Sequence, residues 1–99
     1  METTRKIILN LAIKYMNDEK YSPHIIAKEW IDKVTETLKL RELDDIALAN
    51  MWDMVWLTLK DQYHYYSERN SNLAMKYLDV QSAFTEVINA EARRRRGEQ

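Results

Sequence analysis

Cysteine is absent from this 99-residue chain, and glycine and proline occur once each, as Gly97 and Pro23. Without cysteine, disulfides, thiolate metal ligands and a cysteine nucleophile are excluded together. Average usage predicts about seven glycines and about five prolines in a chain of this length. Hairpin-rich β folds need such turn residues, so their scarcity favours helices joined by short polar connections.

Long apolar runs are absent too, because no uninterrupted hydrophobic stretch approaches the length of a membrane span or a signal-peptide core. We therefore expect a cytoplasmic protein without membrane association. Hydrophobic residues make up 45% of the chain and charged residues 31%, a composition typical of globular proteins rather than disordered ones. A chain of this size has room for one modest core, so we expect a single domain.

Charge is distributed unevenly, although the formal net charge is only −1. Residues 42–91 carry three Lys or Arg against nine Asp or Glu, so this middle segment has a net charge of −6. Residues 1–41 are weakly basic, and residues 92–99 carry four arginines against one glutamate. Such asymmetry can orient a charged partner or a second copy of the same chain.

Apolar residues recur at helical spacing through most of the chain, which predicts four helices. The first is expected from a cap at Thr3 or Thr4 to Asn17. The second is expected over 23–39, with Pro23 in its first turn, where a missing N–H costs nothing.

The third helix is expected to start near Asp44 and Asp45, whose carboxylates suit the positive end of a helix, and to end near Ser67. A near-heptad apolar seam runs along it. Its members are Leu48, Trp52, Val55, Leu59, Tyr63 and Tyr66. The fourth helix is expected over 72–93, again with one apolar side.

These elements predict an all-α fold, a small bundle of about four amphipathic helices in which the last two are long and antiparallel. We expect residues 1–92 to form a single helical domain and residues 93–99 to form a basic, frayed C-terminal tail. In such a bundle the long pair projects beyond the short pair unless another chain covers it. The sequence therefore predicts a homodimer with the third and fourth helices at its interface.

Candidates for catalysis or metal binding are few. Asp61, His64 and Glu68 follow one another at i, i+3 and i+7, so they can share one helix face. Di-metal bundles pair an acid and a histidine at this spacing with a second such motif, which this sequence lacks. We therefore interpret the group as a solvated helix face. His24, near the start of the second helix, has no identifiable catalytic partner.

The acidic group of Glu42, Asp44 and Asp45 could hold Mg²⁺, which prefers carboxylate oxygens. Helix capping explains these residues more simply. We expect no catalytic residue, no metal site and no cofactor.

Aromatic residues are the candidates for binding a protein partner. We expect at least two of the three tryptophans (Trp30, Trp52 and Trp56) to lie in the core. Residues 63–66 cover most of a helix circumference, so at least one tyrosine there should be exposed or at an interface. Trp and Tyr dominate binding hot spots, and on that ground we select five partner-binding residues. They are Trp52, Trp56, Tyr63, Tyr65 and Tyr66.

Four consecutive arginines (Arg93, Arg94, Arg95 and Arg96) allow two interpretations. Guanidinium groups suit phosphates, so these are the candidate nucleic-acid-binding residues. A terminal basic run can equally be a solvated tail, or can complement the acidic segment of another copy. We favour the second interpretation, because the acidic middle of the chain would repel a polyanion.

A family resemblance rests on three segments within residues 27–56. They are Ala27-Lys28-Glu29-Trp30, Leu43-Asp44-Asp45-Ile46-Ala47-Leu48 and Met51-Trp52-Asp53-Met54-Val55-Trp56. Their pattern resembles the helical part of some phage small terminase subunits. Those proteins are non-enzymatic, oligomeric and DNA-recognising, so the resemblance implies these properties as an alternative function.

The residues themselves predict a non-enzymatic helical interaction protein that binds a protein partner. It would act as a regulator or inhibitor of that macromolecule, or as an accessory assembly factor of a phage or mobile element. The alternative is a nucleic-acid-binding helical module, such as a small terminase-like DNA-recognition subunit, with the arginine tail as its positive surface.

Overall fold

The computed structural model describes residues 2–18 and 28–97, and these residues form four α-helices and no β-strand. The helices are α1 (Glu2–Asn17), α2 (Lys28–Thr37), α3 (Asp45–Tyr66) and α4 (Ser71–Arg95). The prediction of an all-α bundle with two long final helices is confirmed. None of the helices in these two ranges combines the length and the apolar character that a membrane crossing requires.

The boundaries of the first two helices differ in part from those expected. Helix α1 begins at Glu2, so Thr3 and Thr4 lie inside it rather than capping it, and it ends at Asn17 as predicted. The expected start of the second helix, with Ser22, Pro23 and His24, lies outside the described residues.

Helix α2 ends at Thr37, before the expected boundary at residue 39. Lys39 adopts the left-handed backbone conformation (φ 53°), which a right-handed helix does not contain. A short 3₁₀ helix follows at Leu40–Glu42 and leads into α3. The left-handed conformation of Lys39 therefore ends α2 and turns the chain toward α3.

Local capping fixes the start of both long helices. The Asp44 carboxylate accepts a hydrogen bond of 2.7 Å from the backbone N–H of Ala47, which confirms its predicted place at the start of α3. The Asn70 side chain accepts one of 3.1 Å from the N–H of Leu73. The connection between Tyr66 and Ser71 is so short that α3 and α4 must pack as an antiparallel hairpin.

One hydrophobic cluster joins all four helices, and Trp30 of α2 lies fully buried within it. Its indole meets the Tyr15 ring of α1 at 4.9 Å and the Phe84 ring of α4, edge to face, at 5.3 Å. Aromatic pairs at such distances add to the free energy of burial. Trp30 therefore holds the two short helices against the hairpin.

The apolar seam of α3 is used inside the chain. Leu48, Val55 and Leu59 are buried in the common core, where α3 packs against α4 and α1. The homodimer was expected to have the third and fourth helices at its interface, with the seam through Trp52, Leu59, Tyr63 and Tyr66. Its buried members are not available to a second copy, so a dimer would need another surface of the hairpin.

Replacing Trp30 by Ala should lower the free energy of unfolding by about 3–5 kcal/mol, because it empties a large space in the core. Urea denaturation followed by circular dichroism measures this change. Met75→Ala is the control, because Met75 is 55% exposed on α4 and should change stability by less than about 0.5 kcal/mol. Equal effects of the two substitutions would contradict the central place given to Trp30.

Candidate functional site

Trp52 and Trp56 lie one turn apart on the same flank of α3. Their ring centroids are 6.4 Å apart and their planes differ by 25°, so the indoles are stacked. Both side chains are partly buried, whereas Trp30 is fully buried. The expectation of two core tryptophans is therefore met only in part, since Trp52 packs against the edge of the core.

Two polar side chains contact Trp56, one at its ring and one at its backbone. The Lys60 ammonium group lies 5.0 Å from the centroid of the Trp56 ring, a distance at which a cation is attracted to the ring face. From α4, the Gln81 side-chain amide donates a hydrogen bond of 3.3 Å to the carbonyl oxygen of Trp56. Lys60 thus contacts the indole itself, whereas Gln81 joins the main chain of α3 at Trp56 to α4.

A groove of about 590 Å³ opens between α3 and α4 beside Trp52, and we call it the α3–α4 groove. Its walls are largely apolar and one end is charged. The wall residues are Leu48, Ala49, Trp52 and Asp53 of α3 with Ile88, Asn89 and Ala92 of α4, and the charged end is formed by Asp45, Arg95 and Arg96. Such a groove can accept an apolar side chain whose neighbours are polar or charged.

Of the three predicted tyrosines, Tyr65 and Tyr66 lie away from the indoles. Tyr66 stacks on Tyr77 of α4 at 5.9 Å with nearly parallel planes, and it packs against the core. Tyr65 is 53% exposed, and the Arg69 guanidinium lies 4.2 Å from its ring centroid. Only Tyr63 lies on the same flank as the indoles, two turns beyond Trp56.

This distribution separates the five predicted partner-binding residues. The tryptophans share a flank, Tyr65 lies on another side of α3, and Tyr66 has an internal packing role. The prediction that at least one tyrosine is exposed is confirmed by Tyr65.

Helix α4 extends further into the arginine cluster than expected. Residues 93–99 were predicted to fray, but α4 continues through Arg95. The Arg94 side chain donates two hydrogen bonds to the Glu91 carboxylate, of 3.0 and 2.7 Å, and Arg95 donates a third of 2.8 Å. Glu91 and these two arginines are called the terminal ion cluster below.

Glu91 is a buried carboxylate, with a side chain only 2% exposed. Hydrogen bonds from Arg94 and, to a smaller extent, from Arg95 together lower the pKa of Glu91 from 4.5 to about 2, against the opposing effect of burial. A charge removed from water to this extent needs such partners. The two arginines therefore keep Glu91 ionised inside the protein.

Arg95 also connects the end of α4 to the start of α3. Its guanidinium donates to the Asp45 carboxylate at 3.0 Å, to the carbonyl oxygen of Leu40 at 2.8 Å and to that of Leu43. The bonds from Arg95 satisfy carbonyl groups in the connection between α2 and α3. Of the four predicted nucleic-acid-binding residues, Arg94 and Arg95 are thus engaged within the chain.

Glu91 was not among the residues predicted from the sequence, although a signal was present. Glu91 follows Phe84, Val87 and Ile88 on the apolar side of α4, where a lone acid needs a partner. Arg94 and Arg95 follow it at i+3 and i+4, the positions that face it on a helix.

Asp61, His64 and Glu68 do not form a cluster. The Asp61 carboxylate lies 3.5 Å from the Arg5 guanidinium of α1, and His64 is exposed and meets the Tyr63 ring edge to face. Within 2–18 and 28–97, no three His, Asp or Glu side chains are grouped so that they could hold a metal ion. In the acidic group, Asp44 caps α3 and Asp45 pairs with Arg95.

Comparison of the chain with protein-family models, with curated proteins and with solved structures finds no match. The resemblance to phage small terminase subunits therefore stays a prediction.

Glu91→Gln should lower the free energy of unfolding at neutral pH by up to about 3 kcal/mol, the equivalent of the shift in its pKa. Because the folded-state pKa lies below the unfolded one, this stabilisation is complete above about pH 4.5 and is lost as the pH falls toward about 2. The difference between the two proteins should therefore shrink over that range. Urea denaturation at a series of pH values measures it.

Glu86→Gln is the matched control, because Glu86 is half-exposed and its carboxylate lies 4.0 Å from Arg93. An exposed pair of this kind contributes about 0–1 kcal/mol. A difference between wild type and Glu91→Gln that stayed constant from pH 6 to pH 2.5 would contradict the role assigned to the Glu91 charge.

Proposed function

We propose that this chain is a non-enzymatic interaction protein that binds another protein and thereby regulates or inhibits it. The single observation that carries the proposal is the stacked pair of Trp52 and Trp56, partly exposed beside the α3–α4 groove. Trp30, in contrast, is fully used by the core.

The indoles are suited to this role because tryptophan offers a large rigid surface at a low cost in side-chain entropy. Stacking on Trp52 and the contact with Lys60 restrict the Trp56 indole before any partner arrives. A side chain that is already ordered loses less entropy on binding, so more of its contact energy remains as affinity.

The chemistry of the groove suggests what the partner presents. Ile88 and Ala92 form an apolar wall opposite Trp52, and the Asp45–Arg95 pair lies at one end. An amphipathic helix or an extended segment that carries a large apolar residue next to a charged one is complementary to these walls. Trp52 is the expected centre of the contact, with Trp56 at its edge.

Trp56→Ala and Trp52→Ala should each abolish capture of the partner, because hot-spot tryptophans typically account for about 2 kcal/mol or more of binding energy. The tagged full chain is used for capture from its native cell, and retained proteins are quantified against the wild type. A protein identified in this way is then titrated with the purified variants by calorimetry, after circular dichroism has shown that they are folded.

Ile13→Ala is the matched control, because Ile13 is an exposed apolar residue on α1. It should retain what the wild type retains. Retention of the same proteins by both tryptophan variants, at the same amounts, would refute the proposed binding site.

Nucleic-acid binding through Arg93–Arg96 remains the alternative, and the arrangement of the cluster gives it less support. Arg94 and Arg95 already pair with the Glu91 carboxylate, and Arg95 also pairs with Asp45. Truncation after Ala92 is a poor test, because it would remove both partners of a buried carboxylate. Substitution of Arg93 and Arg96 leaves those contacts in place.

Arg93→Gln with Arg96→Gln should leave the weak binding of duplex DNA, and its dependence on salt, unchanged. If instead these two arginines contact phosphates, the slope of log affinity against log salt flattens by about two units. Fluorescence anisotropy with a labelled duplex at several salt concentrations distinguishes the outcomes. A flattened slope would place the nucleic-acid function first.

A further inference from the structure

Helix α3 carries a second seam, on the side turned away from the core. We call it the outer stripe, and its members are spaced alternately by four and three residues. They are Ile46, Asn50, Asp53, Leu57, Lys60 and His64, all exposed. This spacing keeps the six side chains on one line about 27 Å long, as in the contact seam of a coiled coil.

Two apolar members of the outer stripe are unusually accessible. Ile46 is 76% exposed and Leu57 is 55% exposed, while the apolar residues of the inner seam are buried. Neither is covered by another part of the chain within 2–18 and 28–97. The other four members are polar or charged, so a second helix covers this line only if it presents complementary charges.

The charges on the stripe indicate which helix that is. Asp53 and Lys60 lie two turns apart, about 10 Å, on either side of Leu57. If two copies of α3 cross antiparallel about a twofold axis near Leu57, Asp53 of each copy comes opposite Lys60 of the other. A parallel arrangement would place like charges together, which is unfavourable.

We propose that two copies of this chain associate through the outer stripe, with their α3 helices antiparallel and the Asp53 and Lys60 charges paired across the twofold axis. Such an interface is self-complementary, as a twofold dimer requires. Leu57 of each copy meets its counterpart near the axis. The cation–π contact with Trp56 holds the Lys60 ammonium beside the stripe.

This dimer surface differs from the proposed partner site. Trp52 precedes Asp53 by one residue, so it lies about 100° around the helix from the stripe. The two surfaces meet at Asp53, which lines the α3–α4 groove, and at Lys60, which contacts Trp56. Trp52→Ala therefore tests the partner site, and exchange of the Asp53 and Lys60 charges tests the dimer.

Exchange of charges tests the pairing directly. Asp53→Lys places lysines opposite one another across the interface, and Lys60→Asp places carboxylates opposite one another. Each single variant should weaken the dimer at least tenfold, as measured by sedimentation equilibrium of the full chain. Asp53→Lys combined with Lys60→Asp in one chain should restore the wild-type dissociation constant, because opposite charges face each other again.

A mixture of the two single variants provides a second readout. Each alone should be mainly monomeric at a concentration where the mixture forms a heterodimer, because both charge pairs are then opposite in sign. Glu36→Lys is the control, since Glu36 is exposed on α2 and should leave the dimer unchanged. Circular dichroism shows that each variant is folded.

Two results would overturn the proposal. One is a wild-type chain that stays monomeric up to 100 µM. The other is a wild-type dimer whose dissociation constant is the same in both single variants, which would place the interface elsewhere. Loss of partner capture in Trp52→Ala with an intact dimer would support both sites.

Discussion

Among the described residues, Glu91 is the one charged side chain that is buried, and the packing of the end of α4 depends on its contacts. Glu91 lies among apolar residues of α4 with almost no exposed surface. Its ionised carboxylate would destabilise the folded state strongly if it had no cationic partner. Its partners Arg94 and Arg95 reach it only while the last turn of α4 stays helical. With the helix intact, Arg95 is aimed at Asp45 and at two carbonyl groups before α3. Through Arg95, the Glu91 carboxylate thus helps to place the connection between α2 and α3, together with Leu40, which is fully buried there.

Signals that act within a few residues could be predicted from the sequence. Asp44 marks the start of α3 because a carboxylate three residues before an N–H can cap it, and Asn70 does the same for α4. Lys39 gave no such signal, since a left-handed residue is usually glycine or asparagine. The Arg95 contacts could not be predicted either. Their acceptors include main-chain carbonyl groups, which every residue has, so the sequence does not show which of them accepts a hydrogen bond.

In the candidate site, too, only the contacts between residues close in sequence could be predicted. Stacking of Trp52 on Trp56 follows from their spacing of four on a helix, so the sequence could identify this pair. The tyrosines were chosen by residue type alone. Whether each faces solvent or core depends on how α3 is rotated against α4, and that rotation places Tyr66 on Tyr77 while Tyr65 remains exposed. Rotation is set by the packing of the whole core, which no local pattern encodes.

The contacts of Arg95 also bear on the order in which the chain folds during synthesis. Arg95 lies 55 residues after Leu40 and 52 after Leu43, so these hydrogen bonds join parts of the chain made at very different times. Helices α1 and α2 also wait for α4, because Trp30 packs on Phe84, which follows it by 54 residues. The connection between α2 and α3 receives these donors last. A nascent chain therefore exposes this connection to proteases and chaperones until the last turn of α4 has left the ribosome.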